Sequence, residues 1–431
     1  MGTSNSFHDQ FFSPQEIRAT GARLWPRWLS QARYGSHAPD RMGLTLSQFL
    51  RCSDQLINFA VNAIKNGNYS PVPATMTVMM ADKLRPFMKL AWLDRWVISH
   101  LARIYAVHAE QSFSPQLFSF RKGMGQHHAI KQLANFIASK KGCSVFRTDI
   151  DAFGENLVHH HCQSDFEQIT QPSECLRLLF QLMARFPFIE QSRAASLIKG
   201  LPMGSHLQLV AENVYLDGLD KRLTAIELGF YARFGDDIVF AHDSPNVVRE
   251  ISNDVCVFAN DRGLTLNSKK TLKLSLLPPH LVGGLLFKTD QNVRATNVLY
   301  LGKSLDWKGG VLLPREKARV VFHFFSTRLR GLLAGTEHLQ GLNERIKFLC
   351  VELQRLVNGA LALGCEPVCS YLKEIEQLEQ LKQLDRRFLE LVLSLGVSKN
   401  FKKGYFRAYP PKRLRSFGLE SLVHLRNTGR L

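Results

Sequence analysis

The sequence predicts an α+β protein, and three observations carry that expectation. Apolar residues recur at helical spacing before residue 140 and again from 314 onward. The stretch between them holds short strand-like runs that end in carboxylates. One such run, Gly229–Ala241, is split by Gly235-Asp236-Asp237, a sequence that folds a chain back as a hairpin. The first helix is expected at Ser13-Pro14-Gln15-Glu16: Ser caps, Pro takes the first helical position and Glu closes the capping box. Residues 17–75 read as helical with a polar break at Asn66-Gly67-Asn68. Residues 80–140 read as basic and mostly helical, with loops at Ser112–Pro115 and Arg121–Gly125. Ser144-Val145-Phe146-Arg147-Thr148 reads as a strand running into Asp149, and a helix follows Ser205 with Leu207, Val210 and Val214 along it. Leu281–Phe287, which contains Gly283-Gly284, reads as another short strand pair. Near the end, Ile375, Leu378, Leu381, Leu384, Phe388 and Leu391 form a stripe expected on a buried helix face.

The 431 residues suffice for two or three units, and a hydrophobic content of 45% excludes a disordered chain. Lysines and arginines number 55 against 37 acids, a formal charge of +18. That excess favours a polyanionic partner, with nucleic acid the commonest one and a small anionic substrate the alternative. The eight cysteines include no C-x-x-C pair, which argues against a zinc ribbon. No secretory signal and no apolar run long enough to span a bilayer is visible, so a cytoplasmic protein with reduced thiols and no membrane partner is expected.

Two acidic clusters lie at strand ends inside apolar sequence: Asp149-Ile150-Asp151 and Asp236-Asp237. Carboxylates in such places repel each other unless a cation lies between them. Oxygen ligands without neighbouring Cys or His suit Mg²⁺, and a pair of such ions serves in-line phosphoryl transfer. Taken singly, each Asp also fits a turn or cap residue with no further role. The run His159-His160-His161-Cys162 is a poor metal site, because consecutive helical residues point in different directions.

The order of the blocks resembles the reverse transcriptases. Phe146–Phe153 resembles their first catalytic block, Gly200–Ser205 with the helix to Asp220 their Gly-Leu-Pro-x-Gly-Ser block, and Tyr231–Asp237 their Tyr-x-Asp-Asp hairpin. Gly263–Thr271 looks like the next block, with a lysine, and Leu281–Phe287 is similar to the primer-grip turn. Upstream, Arg85-Pro86, Leu93-Asp94-Arg95 and Phe118–Gly123 resemble the fingers of bacterial intron-like enzymes, and within the family the chain resembles the bacterial defence-associated and abortive-infection enzymes. The resemblance implies a right-hand polymerase with helical fingers, a small antiparallel palm sheet backed by helices, and a helical thumb. It places an N-terminal helical extension at 1–75, fingers at 76–142 (with parts interleaved near 155–200), the palm at 143–300 and the thumb with its basic tail at 301–431.

It further implies RNA-directed DNA synthesis with two Mg²⁺, or Mn²⁺ in their place, and a role in antiviral defence. Asp149, Asp236, Asp237 and the Ile150 carbonyl would hold metal, and Lys270 would act as general acid. Lys83, Arg85, Phe153, Gly154, Met203, Gly204 and Ser205 would line the nucleotide site, and Arg121, Phe234, Gly283 and Gly284 would meet primer or template. The implied partners are an RNA template, the DNA product and dNTPs. A dedicated noncoding RNA, a second protein or a second copy of the chain stand as further candidates. A non-catalytic RNA-binding subunit and an RNA polymerase or template-independent transferase are the competing readings.

Three positions depart from the family pattern. Gly154 stands where many members place an aromatic against the sugar 2′ carbon, so either Phe153 takes that role or ribonucleotides are weakly excluded. Met203 replaces Gln and offers only soft apolar contact. Phe234 replaces Tyr before the Asp pair. Phe-Gly-Asp-Asp is also similar to the turn of viral RNA polymerases, but these carry a second Asp five residues after the first, where Gly154 stands.

Overall fold

The computed structural model describes residues 6–34, 38–72, 75–80, 84–140, 142–170, 199–200, 206–282, 293–335, 339, 341–362, 375, 377–397 and 405–430. The chain divides into two compact units, and the expected α+β class is observed. The first comprises Met1–Gln132, Cys143–Ser275 and Lys288–Val293; the second comprises Leu133–Gly142, Leu276–Phe287 and Arg294–Leu431.

The first unit opens with α1 (Phe7–Phe12), capped by the Ser6 side chain, ahead of the expected α2 (Pro14–Tyr34). A Thr45–Gln48 capping box starts α3 (Leu46–Arg51), and α4 (Ser53–Lys65) ends at the polar break, where Gly67 takes φ +70°. Next come the strands β1 (Thr75–Met80) and β2 (Leu84–Lys89), an antiparallel pair where helix was expected. Pro86 explains the difference: it removes a helical donor and biases Arg85 toward extended backbone. The helix α5 (Trp92–Ala109) is apolar nearly all round and becomes the core, with Trp96, Leu101 and Tyr105 fully enclosed. Its Asp94 is buried yet satisfied, accepting from the Tyr69 hydroxyl at 2.7 Å and from Val72 N at 3.0 Å.

After α6 (Gln126–Ala138) come β3 (Cys143–Asp149), α7 (Phe153–Asn156) and α8 (His159–Thr170). They are followed by α9 (His206–Tyr215), α10 (Asp217–Thr224), β4 (Phe230–Phe234), β5 (Asp237–His242), α11 (Pro245–Asp261) and β6 (Leu272–Leu276). The strands run in the order β4-β5-β3-β6, with β4 and β3 both antiparallel to β5. Helix α11 packs on β3 and β5, while α9 packs against α5 and α8. The middle strands β3 and β5 are buried along nearly their whole length, which fits their near-continuous apolar runs.

In the second unit, Leu281 and Val282 belong to a helical turn, α12 (Pro279–Val282), not to a strand; Pro279 starts it from the first helical position. The rest of that expected strand pair, with Gly283 and Gly284, lies outside the described residues. Beyond β7 (Val293–Ala295), a meander is formed by β8 (Asn297–Tyr300), β9 (Lys303–Asp306) and β10 (Val311–Leu312), in the order β10-β9-β8. Its first turn, Leu301-Gly302, has positive φ at both positions, the geometry that suits a two-residue hairpin. Helices α13 (Arg315–Ala334), α14 (Leu342–Ala362) and α15 (Leu378–Val397) then share a core built on Phe325, Leu349, Leu353 and Phe388. The predicted stripe faces it, except Leu378 at the helix start, which is 44% exposed. Among the described residues, no helix is long and apolar enough to cross a membrane.

Candidate active site

The site is built where three segments of the first unit meet. Strand β3 delivers Asp149 at its last position, directly opposite Asp237 in the register with β5. The hairpin β4–β5 turns through Gly235-Asp236, between the paired Phe234 and Asp237. Only the first turn residue has positive φ (+64°), so glycine is placed where a side chain would be strained. This turn sets Asp236 immediately beside the Asp149–Asp237 pair.

The third segment is the loop after α11. Asn267 N donates to Asp149 O and Asp151 N to Thr265 O, each at 2.8 Å, so Leu266 bridges Ile150. Neither bond uses the Ile150 carbonyl. The Thr148 and Thr271 hydroxyls meet at 2.7 Å, and a turn closed on Asn267 O brings Lys270 round. Its Nζ donates to Asp149 Oδ2 at 2.6 Å. On the other side, Arg147 Nη2 donates to Asp237 Oδ1 at 3.2 Å.

Electrostatics mark this corner. Asp236 is pushed up to about 6, first by burial and then by Asp149, with Asp237 adding to it. Burial also raises Asp237, against the pull of Arg147. Lys270 is raised by its bond to Asp149. A fourth carboxylate, Glu212 on α9, is pushed up to about 7 by burial, opposed by its bond from Gln208 and aided by Asp236. Three acids crowd around one corner, with Lys270 and Arg147 as counter-charges, and carboxylate oxygens are the ligand type that a hard divalent cation takes. Among the described residues, no group of three or more His, Cys, Asp or Glu side chains is arranged to hold a metal ion as it stands. Asp149 is drawn to Lys270 and Asp237 to Arg147.

Other candidates fall in different places. Phe153 is 4% exposed and packs edge-on to Tyr215 at 6.2 Å, inside the core. Gly154 lies beneath α9, where a Cβ would come 2.2 Å from Gln208 Nε2 and 3.4 Å from Glu212 Oε1. Phe234 lies 6.2 Å from the ring of Phe120, which is exposed and held at φ +55°. Arg121 is turned inward: it donates to Glu110, Ser114 O and Leu117 O, and it leaves Lys122 as the exposed cation of that loop. Arg85 pairs with Met79 in the β1–β2 register, and only its backbone is described. Lys83, Met203, Gly204 and Ser205, like Gly283 and Gly284, lie outside the described residues.

Sequence reasoning gave no role to Arg147, Gln208, Glu212, or the buried pair Arg233–Asp220. A signal for the pair existed: Arg233 alternates with Tyr231 on one face of an otherwise apolar strand, where a charge needs a partner.

Residues 71–305, more than half of the chain, match the profile of the reverse transcriptase (RNA-dependent DNA polymerase) family. No curated protein matched. Among solved structures, apo telomerase from Candida tropicalis, truncated from its C-terminal domain, is similar at 10% identity and a TM-score of 0.42. That match covers 63% of this chain and 61% of that one. Telomerase from Candida albicans with a fragment of telomeric RNA is similar at 8% identity and 0.43, covering 86% and 66%. A partial Cas6-RT-Cas1–Cas2 complex is similar at 17% identity and 0.34, covering 60% and 43%. The chain thus spans under two thirds of the length of each of these. The family match, over a segment that contains the whole acidic corner, establishes that the chain belongs to the reverse transcriptase family.

Proposed function

We propose that this chain extends DNA on an RNA template, with Asp149 and Asp236 each holding two Mg²⁺ ions and Asp237 supporting from the side. The observation that carries this reading is the cross-strand pairing of Asp149 with Asp237, beside a turn that adds Asp236. Bound there, two divalent ions, Mg²⁺ or Mn²⁺, supply activation of the attacking hydroxyl and charge for the leaving pyrophosphate. The Ile150 carbonyl would complete one ion's shell. Lys270 would leave Asp149 as metal charge arrives and hand its proton to pyrophosphate as general acid. Arg147 opposes the upward push that burial and Asp149 exert on Asp237.

For the nucleotide, Lys83 and Arg85 would take the triphosphate, and Met203, Gly204 and Ser205 would line the pocket. Because Phe153 and Gly154 are both buried, with the Gln208 amide over Gly154, Gln208 and neither of the two would form the sugar-facing surface. Phe234, Gly283 and Gly284 would meet primer or template, and the inward fold of Arg121 gives the backbone contact at that loop to Lys122. Residues 76–142 would act as fingers, 143–300 as palm and 301–431 as thumb. A place in phage defence rests on the block resemblance and is tested by phage plating on cells carrying wild type or Asp236→Asn.

The deciding experiment mixes purified protein with labelled dNTPs and Mg²⁺, with and without co-purifying RNA, and sequences any product. Product from wild type and none from Asp236→Asn supports the proposal. RNA bound equally by both proteins, with no product from either, refutes it in favour of an RNA-binding scaffold.

A further inference from the structure

Arg233 stands two residues before the acidic turn, and its side chain is wholly enclosed. A guanidinium keeps its proton in proteins, so burial here demands fixed acceptors. Arg233 Nε donates to Asp220 Oδ1 at 2.7 Å and Nη2 to Asp220 Oδ2 at 2.6 Å, the two-pronged geometry that a carboxylate suits. Nη2 also donates to Asn213 O at 3.1 Å, and the Tyr231 hydroxyl donates to Asp220 at 2.5 Å. The remaining nitrogen, Nη1, donates to the Gly235 carbonyl at 3.0 Å. That carbonyl belongs to the peptide joining Gly235 to Asp236, so it fixes the plane from which the Asp236 side chain rises.

The main chain at Arg233 is held as well. Arg233 N donates to Gln116 O at 3.1 Å, and Phe118 N donates to Arg233 O at 2.9 Å. Ser119 and Asn213 exchange two further bonds, both 2.9 Å. The loop that carries exposed Phe120 is thereby fastened to the same hub as the acidic turn. An ion pair serving only to join α10 to β4 would account for the Asp220 bonds. It leaves unexplained the donor spent on the turn carbonyl.

We propose that Arg233 is a positioning residue, which aims Asp236 and ties that aim to the seating of the Gln116–Arg121 loop. The inference rests on the polymerase reading of the acidic corner. Arg233→Lys keeps the charge, but a point ammonium cannot span both Asp220 and the Gly235 carbonyl. Tyr231→Phe removes only the hydroxyl that steadies Asp220. Three quantities are measured beside the melting temperature: Mn²⁺ binding by electron paramagnetic resonance with dNTP present, amide exchange of the Gly235–Ile238 segment, and the kcat and KM for dNTP.

Arg233→Lys is expected to lose about 10–100-fold in Mn²⁺ affinity or kcat. Its turn should exchange faster and its KM should hold, and Tyr231→Phe should show a smaller loss of the same kind. Folded Arg233→Lys protein with wild-type Mn²⁺ binding, exchange and kcat overturns the proposal. If that variant fails to fold, wild-type values in Tyr231→Phe overturn it instead. Wild-type protein that neither binds Mn²⁺ nor incorporates dNTP refutes the polymerase reading itself. In that case turn exchange alone decides on Arg233: faster exchange in either variant supports positioning, and unchanged exchange overturns it.

Discussion

Replacing Asp236 by Asn separates the charge of this side chain from its shape. Its carboxyl is raised from 3.8 to about 6 by burial and by Asp149. At 1.36 kcal/mol per pKa unit, the ionised form costs the metal-free fold up to about 3 kcal/mol. The folded value lies above the unfolded one, so the favourable contribution of the protonated form is complete below about pH 4 and gone above about pH 6. Near pH 7 the penalty is therefore fully in force, and Asn escapes it. Without metal, Asp236→Asn should melt a few degrees above wild type at about pH 7, and the gap should close as pH falls toward 4. Added Mg²⁺ should raise the midpoint of wild type and do little for the variant. Turnover should drop on the order of a thousandfold, since several kcal/mol of transition-state stabilisation leave with the ligand. The assays are calorimetry in chelator or Mg²⁺ across pH, and dNTP incorporation on the same samples. A variant that melts at or below wild type without metal, or one that keeps wild-type turnover, refutes the reasoning.

Three further outcomes are expected. Lys270→Met should slow single-turnover incorporation by about a hundredfold, while melting changes little because Lys270 is half exposed; an unaffected rate removes Lys270 as general acid. Arg147→Ala takes away the cation that lowers Asp237, so the acidic limb of the kcat/KM profile should move to higher pH, and an unmoved limb contradicts that role. Phe153→Leu should cost about 1–2 kcal/mol of stability by loosening its contact with Tyr215, and leave the dATP-to-ATP preference unchanged; a collapsed preference would return Phe153 to the sugar.

The acidic corner was legible in the sequence for a physical reason. A two-residue Gly235-Asp236 turn between apolar runs leaves few ways to pair them, and the apolar run before Asp149 reads as their neighbour. What escaped was what depends on distant partners. Arg233 reads as one more basic residue until Asp220, Asn213 and the Gly235 carbonyl surround it. Arg121 reads as a loop cation available to phosphate, and only the folded loop turns it onto Glu110 and two carbonyls. The β1–β2 pair was hidden because a basic, Met-rich stretch carries no clear period, and Pro86 was the one local clue. The short strands of the β8–β10 meander are too brief for alternation to stand out.

Diffraction at the manganese edge, from crystals grown with Mn²⁺ and a non-hydrolysable dNTP, tests the central claim most directly. The account expects an ion about 2.0–2.2 Å from carboxylate oxygens of both Asp149 and Asp236, with a second ion toward the triphosphate. Manganese found only at surface sites, with Asp149 still paired to Lys270 in the nucleotide complex, would contradict it.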